Sequence, residues 1–312
     1  MDIQKMIEKA LQVISEKQPE VKRIYKLQRQ LAKVGKVHFL RPAFLATDFH
    51  VVCQNFVVPM RMYYPTEKRK NKKVILFFHG GGWVTGNIDS YNRVCDTLAR
   101  QTGCRVASVD YRLAPEHPFP QGFTDCYEVS RSIFLNSYFL FDIPPEEIVL
   151  MGDSAGGNLA AAVSLKARDS GDFTVAQQIL LYPVLYNDYT ISSPFASVQT
   201  NGKDYVLTAE RIQEYMDLYA GKTDNLQNVY LAPLLSQDFS SQPKTLVITA
   251  EFDPLRDEGE MYADKLQEAG NFAVKYRIKG ALHGFFSLPI GTKAVQKAYQ
   301  LIQLFLEDEV AD

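Results

Sequence analysis

Residues 152–158 read Gly-Asp-Ser-Ala-Gly-Gly-Asn, a serine flanked by glycines two positions away on each side. That spacing suits a nucleophile. The apolar run Ile148-Val149-Leu150-Met151 precedes it, and residues 156–168 read as a helix. A strand turning sharply into a helix presents the hydroxyl of Ser154 beyond the end of the strand. Gly152 and Gly156 leave room for the two backbones to crowd together there. A glycine-rich strand-to-helix turn also binds phosphate through the helix N-terminus. No Lys-Ser/Thr pair follows these glycines, so a P-loop is excluded.

A serine hydroxyl needs a base to become a nucleophile. Around such a turn the partners follow in the chain order serine, acid, histidine. Of the five histidines, His38, His50, His79, His117 and His283, only His283 lies after Ser154, in a stretch that reads as a loop. It is therefore the base by elimination. The acid must lie between them, past the end of a strand. Residues 245–250 read as that strand, and Glu251 and Asp253 both qualify by position. Pro254 fixes a turn after Asp253 and favours a held carboxylate there. Asp257 and Glu258 instead suit the first turn of the next helix, where negative charge complements its dipole.

Attack on an ester carbonyl puts negative charge on oxygen, and backbone N–H groups must already be aimed at it. One donor is the residue after the nucleophile, Ala155. Residues 76–86 read Leu-Phe-Phe-His-Gly-Gly-Gly-Trp-Val-Thr-Gly, an apolar strand leaving through a histidine and three glycines. Side chains at those positions would obstruct the oxyanion, so the run reads as a donor loop rather than a flexible hinge.

Five stretches together resemble the hormone-sensitive-lipase family of esterases. They are His79-Gly80-Gly81-Gly82-Trp83, Asp110-Tyr111-Arg112-Leu113-Ala114-Pro115-Glu116, residues 152–158, Asp253-Pro254-Leu255-Arg256-Asp257-Glu258-Gly259 and His283-Gly284-Phe285. The resemblance runs from about residue 50 to the C-terminus. It implies an α/β-hydrolase fold, with a mostly parallel sheet flanked by helices and a helical cap. It implies a triad of Ser154, Asp253 and His283, which settles Asp253 over Glu251. It further implies oxyanion donors at Gly81, Gly82 and Ala155, a structural role for His79, and a second cap region at Tyr205-Val206-Leu207-Thr208. The expected activity is a carboxylesterase acting through an acyl-enzyme, without metal or cofactor. An amidase or peptidase on the same triad is the rival enzyme reading. A non-catalytic small-molecule receptor is the rival of another class, although the receptors built on this scaffold lack the histidine that His283 supplies here.

These residues require elements to hold them. Continuous apolar runs at 74–78, 105–109, 148–151, 178–182, 245–249 and 273–278 alternate with helical patterns at 91–101, 123–136, 156–168, after 249 to about 269, and at 293–307. Unbroken apolar strands between helices imply a parallel sheet covered on both faces. About sixty residues separate the strands at 182 and 245, too many for a plain crossover. They include a helix at 209–219 opened by the capping residue Thr208. Amphipathic helices are expected at 3–14 and 21–32. The organisation is therefore an N-terminal helical cap element at 1–48, α/β core at 49–184, a second cap segment at 185–225, and core again at 226–312. Phe44, Phe49, Tyr189, Phe195, Tyr205 and Tyr215 in the cap segments at 39–49 and 186–219 are expected to close the pocket at short reach, favouring acyl chains of about two to six carbons.

A net charge of −2 gives no reason to expect nucleic acid, and the basic run at 68–73 reads as a solvated loop. No stretch of about 18 apolar residues marks a membrane span. Cys53, Cys95, Cys104 and Cys126 show neither a Cys-x-x-Cys pair nor zinc spacing, so free thiols and a cytoplasmic location are expected. The expected partner is a small-molecule ester, with no membrane association; a homodimer is compatible with this reading.

Overall fold

Val74 to Phe78 are five successive apolar residues, every one buried, because helices cover both faces of the sheet in which they lie. The computed structural model describes residues 19–34, 45–53, 56–66 and 72–309. The helix expected at 3–14, Phe44, and all but Lys72 and Lys73 of the basic run fall outside them.

The described residues form one sheet of eight strands: β1 (Ala46–Val52), β2 (Val57–Tyr63), β3 (Val74–Phe78), β4 (Arg105–Val109), β5 (Ile148–Asp153), β6 (Gln177–Leu181), β7 (Lys244–Phe252) and β8 (Ala273–Leu282). Their order is β1-β2-β4-β3-β5-β6-β7-β8. Strands β3 to β8 run parallel, and β1 and β2 are antiparallel additions at one edge. The helices are α1 (Val21–Val34), α2 (Asn92–Thr102), α3 (Gln121–Leu135), α4 (Ser137–Phe141), α5 (Ala155–Ser170), α6 (Ala196–Asn201), α7 (Ala209–Ala220), α8 (Arg256–Glu268) and α9 (Lys293–Leu306). Apolar side chains of α3, α5 and α8 pack on one face of the sheet. Those of α2 and α9 pack on the other.

The sequence pattern does not announce β1 and β2. An edge strand has one neighbour and little to bury, so β1 keeps Asp48 and His50 and stays largely exposed. In β2, Val58, Met60 and Met62 alternate inward, while Pro59 speaks against a strand. Pro59 is tolerated because its carbonyl still accepts from the N–H of Asp110 at 2.9 Å. The expected cap boundary at 48 therefore falls inside a strand, and Phe49 lies exposed on β1. Lys73 corrects the solvated-loop reading for its own position: it is buried and donates to Gln177 Oε1 at 3.1 Å.

The insertion between β6 and β7 carries α6 and α7, and α1 packs against α7. The Thr208 hydroxyl caps α7 by accepting from the Arg211 N–H at 3.1 Å. The N–H of Val21, at the start of α1, donates to Glu214 Oε2 on α7 at 2.9 Å. Negative charge at a helix N-terminus makes this a favourable joint between the two helices.

Candidate active site

Three strands of the parallel run end in the residues that meet. Ser154 follows β5 directly, and Asp253 and His283 follow the neighbouring β7 and β8. His283 Nε2 lies 2.9 Å from Ser154 Oγ. On the other side of the ring, His283 Nδ1 lies 2.8 Å from Asp253 Oδ2. The Asp253 side chain is fully buried, whereas His283 is 13% exposed. The ring edge of His283 also meets the Tyr182 ring, with centroids 4.9 Å apart. Serine, imidazole and carboxylate are thus in line, the arrangement that moves a proton from hydroxyl to ring while the carboxylate holds the ring.

Ser154 adopts φ 55° and ψ −121°, a conformation that L residues rarely take. The turn survives because its neighbours leave no alternative. A Cβ on Gly152 would lie 2.1 Å from the Gly156 carbonyl oxygen, and one on Gly156 would lie 1.9 Å from that of Phe78. The Ser154 N–H donates to the Leu181 carbonyl at 2.8 Å, tying the turn to the end of β6.

The acid loop is held as firmly. Asp253 Oδ1 accepts from the Leu255 N–H at 2.9 Å. Asn201 on α6 donates to the Asp253 carbonyl oxygen at 3.2 Å. The Ser197 hydroxyl donates to the Pro254 carbonyl at 2.7 Å and accepts from the Asp257 N–H at 3.2 Å. Glu251, the other positional candidate, points elsewhere: it accepts from the Gly280 N–H at 2.6 Å and braces the end of β8. Asp257 and Glu258 do occupy the first turn of α8. Glu258 turns inward, where it accepts from the Leu185 N–H at 2.6 Å and the Tyr189 hydroxyl at 3.0 Å. Burial pushes its carboxyl up to about 8.

The glycine loop lies across from Ser154. His79 is fully buried, stacks on Tyr111, and places Nδ1 2.8 Å from the Gly80 carbonyl. Burial lowers its pKa to about 4, so it sits there as a neutral ring. The Gly80 N–H donates to Asp153 at 2.9 Å, which joins the loop to the residue preceding Ser154. Burial raises the Asp153 carboxyl to about 6, against the opposing hydrogen bonds from Tyr91 and Gly80. Gly81 and Gly82 take φ 115° and 60°, values suited to glycine.

A cavity of about 410 Å³ opens on Ser154, His283, Gly81 and Gly82. Its far walls come from Ile24 of α1 and from Val206, Leu207, Ile212 and Tyr215 of the insertion. Of the described aromatics expected to close the pocket, only Tyr215 lines it. Tyr205 stacks on Phe252 and Tyr189 bonds Glu258, so these two fasten the cap to the core, while Phe195 packs edge-on against Tyr186 within the cap. The sequence reading missed Arg29, Ser197 and Asn201, whose bonds to backbone carbonyls leave no trace in residue spacing. No group of three or more His, Cys, Asp or Glu side chains that could hold a metal ion occurs among the described residues. The four cysteines are free, three of them buried and Cys53 half-buried. No described helix is long and apolar enough to cross a membrane.

Residues 75–287 match a family model described as alpha/beta hydrolase fold. The chain is 35% identical over 249 residues to an arylesterase of Saccharolobus solfataricus, which covers 80% of this chain and 79% of the relative. It is 34% identical over 244 residues to the carboxylesterase NlhH of Mycobacterium tuberculosis, covering 77% and 75% of the two chains. Among solved structures, the hyperthermophilic esterase of Pyrobaculum calidifontis superposes with a TM-score of 0.83 at 32% identity over 97% of both chains. The thermostable carboxylesterase EstE1, cloned from a metagenomic library, gives 0.82 at 32% identity over 94% of this chain and 99% of that one. With these relatives sharing its sheet, its length and a third of its sequence, the chain belongs to the hormone-sensitive-lipase-like family of α/β-hydrolase esterases.

Proposed function

We propose that this esterase hydrolyses short-chain acyl esters with Ser154 as nucleophile, His283 as general base and acid, and Asp253 as the carboxylate that orients the imidazole. The observation that carries the proposal is the unbroken line from Ser154 Oγ to His283 Nε2 at 2.9 Å and from His283 Nδ1 to Asp253 Oδ2 at 2.8 Å, at the floor of the cavity. Ser154 Oγ forms a bond to the ester carbonyl carbon as its proton passes to His283 Nε2. The tetrahedral oxyanion is received by the N–H groups of Gly81, Gly82 and Ala155. When it collapses, the bond to the alcohol oxygen breaks and His283 returns the proton to the departing alcohol. Water, giving a proton to His283 Nε2, then bonds to the acyl carbon; the acyl–Oγ bond breaks, His283 returns the proton to Ser154 Oγ, and the acid leaves. Asp253 holds the ring through Nδ1 and stabilises the imidazolium that forms in each half-reaction.

Short acyl chains, about two to six carbons, follow from the modest size of the cavity and its apolar far wall. The free thiols suit a reducing compartment, and we assign the enzyme to the cytoplasm. The test is a nitrophenyl ester series from acetate to palmitate, with a nitroanilide of the preferred acyl group beside it. Turnover of short esters with a burst of nitrophenol, and little of the anilide, is expected. Absence of both burst and turnover in folded protein would overturn the reading.

A further inference from the structure

The peptide unit between Gly81 and Gly82 is trans and planar, so its carbonyl oxygen and its N–H point in opposite directions. Whatever fixes the Gly81 carbonyl therefore aims the Gly82 N–H. That carbonyl accepts three hydrogen bonds, from Val84 N–H at 3.2 Å, Thr85 N–H at 2.9 Å and Thr85 Oγ1 at 3.0 Å. The aim of the Gly82 donor thus depends on where Val84 and Thr85 stand.

Both are held from the cap. On α1, Arg29 Nε donates to the Val84 carbonyl at 2.7 Å and Arg29 Nη2 to the Ala114 carbonyl at 2.6 Å. The Ala114 N–H in turn donates to the Trp83 carbonyl at 2.9 Å, so one guanidinium spans the outer side of the loop. The fork is itself fixed, by Glu116 Oε2 at 2.9 Å from Nη1 and by the Tyr25 ring, whose centroid lies 4.8 Å from the guanidinium carbon. On α7, the Tyr215 hydroxyl faces that of Thr85. Its ring lies directly on Gly82: a Cβ built there would be 2.4 Å from Tyr215 Cγ. Glu214 joins the two helices by accepting the Val21 N–H.

We infer that Arg29 and Tyr215 are positioning residues that clamp the Gly81–Thr85 turn from the two cap helices, so that cap closure aims the Gly82 donor as well as enclosing the substrate. The inference rests on the oxyanion role proposed above for Gly82. It separates two uses of a cap. A cap that only encloses substrate acts on ground state and transition state alike and shows in KM. A cap that aims an oxyanion donor acts where charge develops and shows in kcat.

The experiment compares wild type with Tyr215→Phe, Arg29→Met and Arg29→Lys. Tyr215→Phe keeps the ring on Gly82 and deletes only the hydroxyl. kcat and KM are measured on nitrophenyl butyrate, and inhibition by an alkyl trifluoromethyl ketone, whose adduct with a serine carries an oxyanion, is compared with inhibition by the matching methyl ketone. Tyr215→Phe and Arg29→Met should each lower kcat roughly tenfold, a fraction of what loss of a whole donor costs. KM should stay within about twofold, and affinity for the trifluoromethyl ketone should fall in parallel with kcat while that for the methyl ketone holds. Arg29→Lys, keeping the charge without the planar fork, should recover only part of the loss. Should Arg29→Met fail to fold, Tyr215→Phe decides. A rise in KM at unchanged kcat, or a fall in kcat with unchanged trifluoromethyl ketone affinity, would overturn the clamp. An inactive wild type would overturn the underlying esterase reading instead.

Discussion

Ser154 holds a backbone conformation that costs on the order of 1–3 kcal/mol in isolation, and it is the crowding of Gly152 and Gly156 that keeps it there. Removing its hydroxyl touches none of that crowding. Ser154→Ala should therefore fold as wild type by circular dichroism and thermal melting, with kcat on nitrophenyl butyrate lower by on the order of 10⁶. Activity above a few per cent in a preparation free of wild type would count against the nucleophile. The two carboxylates at the end of β7, Glu251 still within the strand and Asp253 just past it, make a sharper comparison. Asp253→Asn keeps the shape but presents an amide to His283 Nδ1 and favours the wrong tautomer, so kcat should fall by about 10⁴. Glu251→Gln weakens one charge-assisted hydrogen bond to the Gly280 N–H and should cost no more than about tenfold. Steady-state kinetics on the two variants, side by side, checks both statements.

At the scale of elements, α6 is a brace. It contributes Ser197 and Asn201 to carbonyls of the loop that carries Asp253, which makes part of the cap a support for a loop of the core. Ser197→Ala leaves the Pro254 carbonyl and the Asp257 N–H short of a partner, a loss of about 1–3 kcal/mol. A correspondingly lower Tm, measured by calorimetry, is the expected outcome. Glu258 does a similar job at the root of the insertion, bonding Leu185 and Tyr189. Its pKa stands near 8 in the folded protein, against the usual carboxylate value of 4.5. The folded state therefore keeps a proton that the unfolded chain gives up. The stability this contributes is complete below about pH 4.5 and is lost as pH rises through about 8. Glu258→Gln carries a permanently neutral group, so the Tm gap between variant and wild type should move in favour of the variant from about pH 6 to about pH 9. A gap that stays constant with pH would show that Glu258 does not titrate in this window.

Across the whole molecule, substrate range is a property of how the cap meets the core. The cavity of about 410 Å³ is floored by loops at the carboxyl ends of β3, β5 and β8 and walled by α1 and α7. Each methylene that finds room contributes about 0.8 kcal/mol. A closed pocket should show kcat/KM rising over the first one or two added carbons and then falling steeply. The nitrophenyl ester series measures this directly, and a maximum at about ten carbons or beyond would mean that the cap opens onto a longer channel. Tyr215 is the wall to alter: Tyr215→Ala should move the maximum toward longer chains while lowering kcat, because the same ring supports the Gly82 donor.

The motifs around Ser154, Asp253 and His283 were legible because each depends on its own few residues. A glycine is needed where two backbones cross, a proline fixes a turn, and five apolar residues in a row make a buried strand wherever they sit. The parallel strands were legible for the same reason, from β3 to β8. The edge strands were not: with one neighbour and an exposed face, β1 buries too little for hydropathy to mark it, and β2 contains Pro59. Likewise, Glu251 and Asp253 stand two residues apart on one chain, and spacing alone left both open. The strand β7 runs on to Phe252, so Glu251 is still within it and turns to Gly280, whereas Asp253 lies past its end and turns to His283. The cap was visible in the sequence only as excess length and scattered aromatics. Which of these reach the cavity was decided by tertiary packing, which put Tyr215 over Gly82, turned Tyr189 and Tyr205 to the core and packed Phe195 against Tyr186 within the cap. Arg29 lies far from the loop in sequence, and its bonds to the loop are to carbonyl oxygens, which every residue possesses. No residue type at any spacing encodes such a contact, so only the folded chain reveals it.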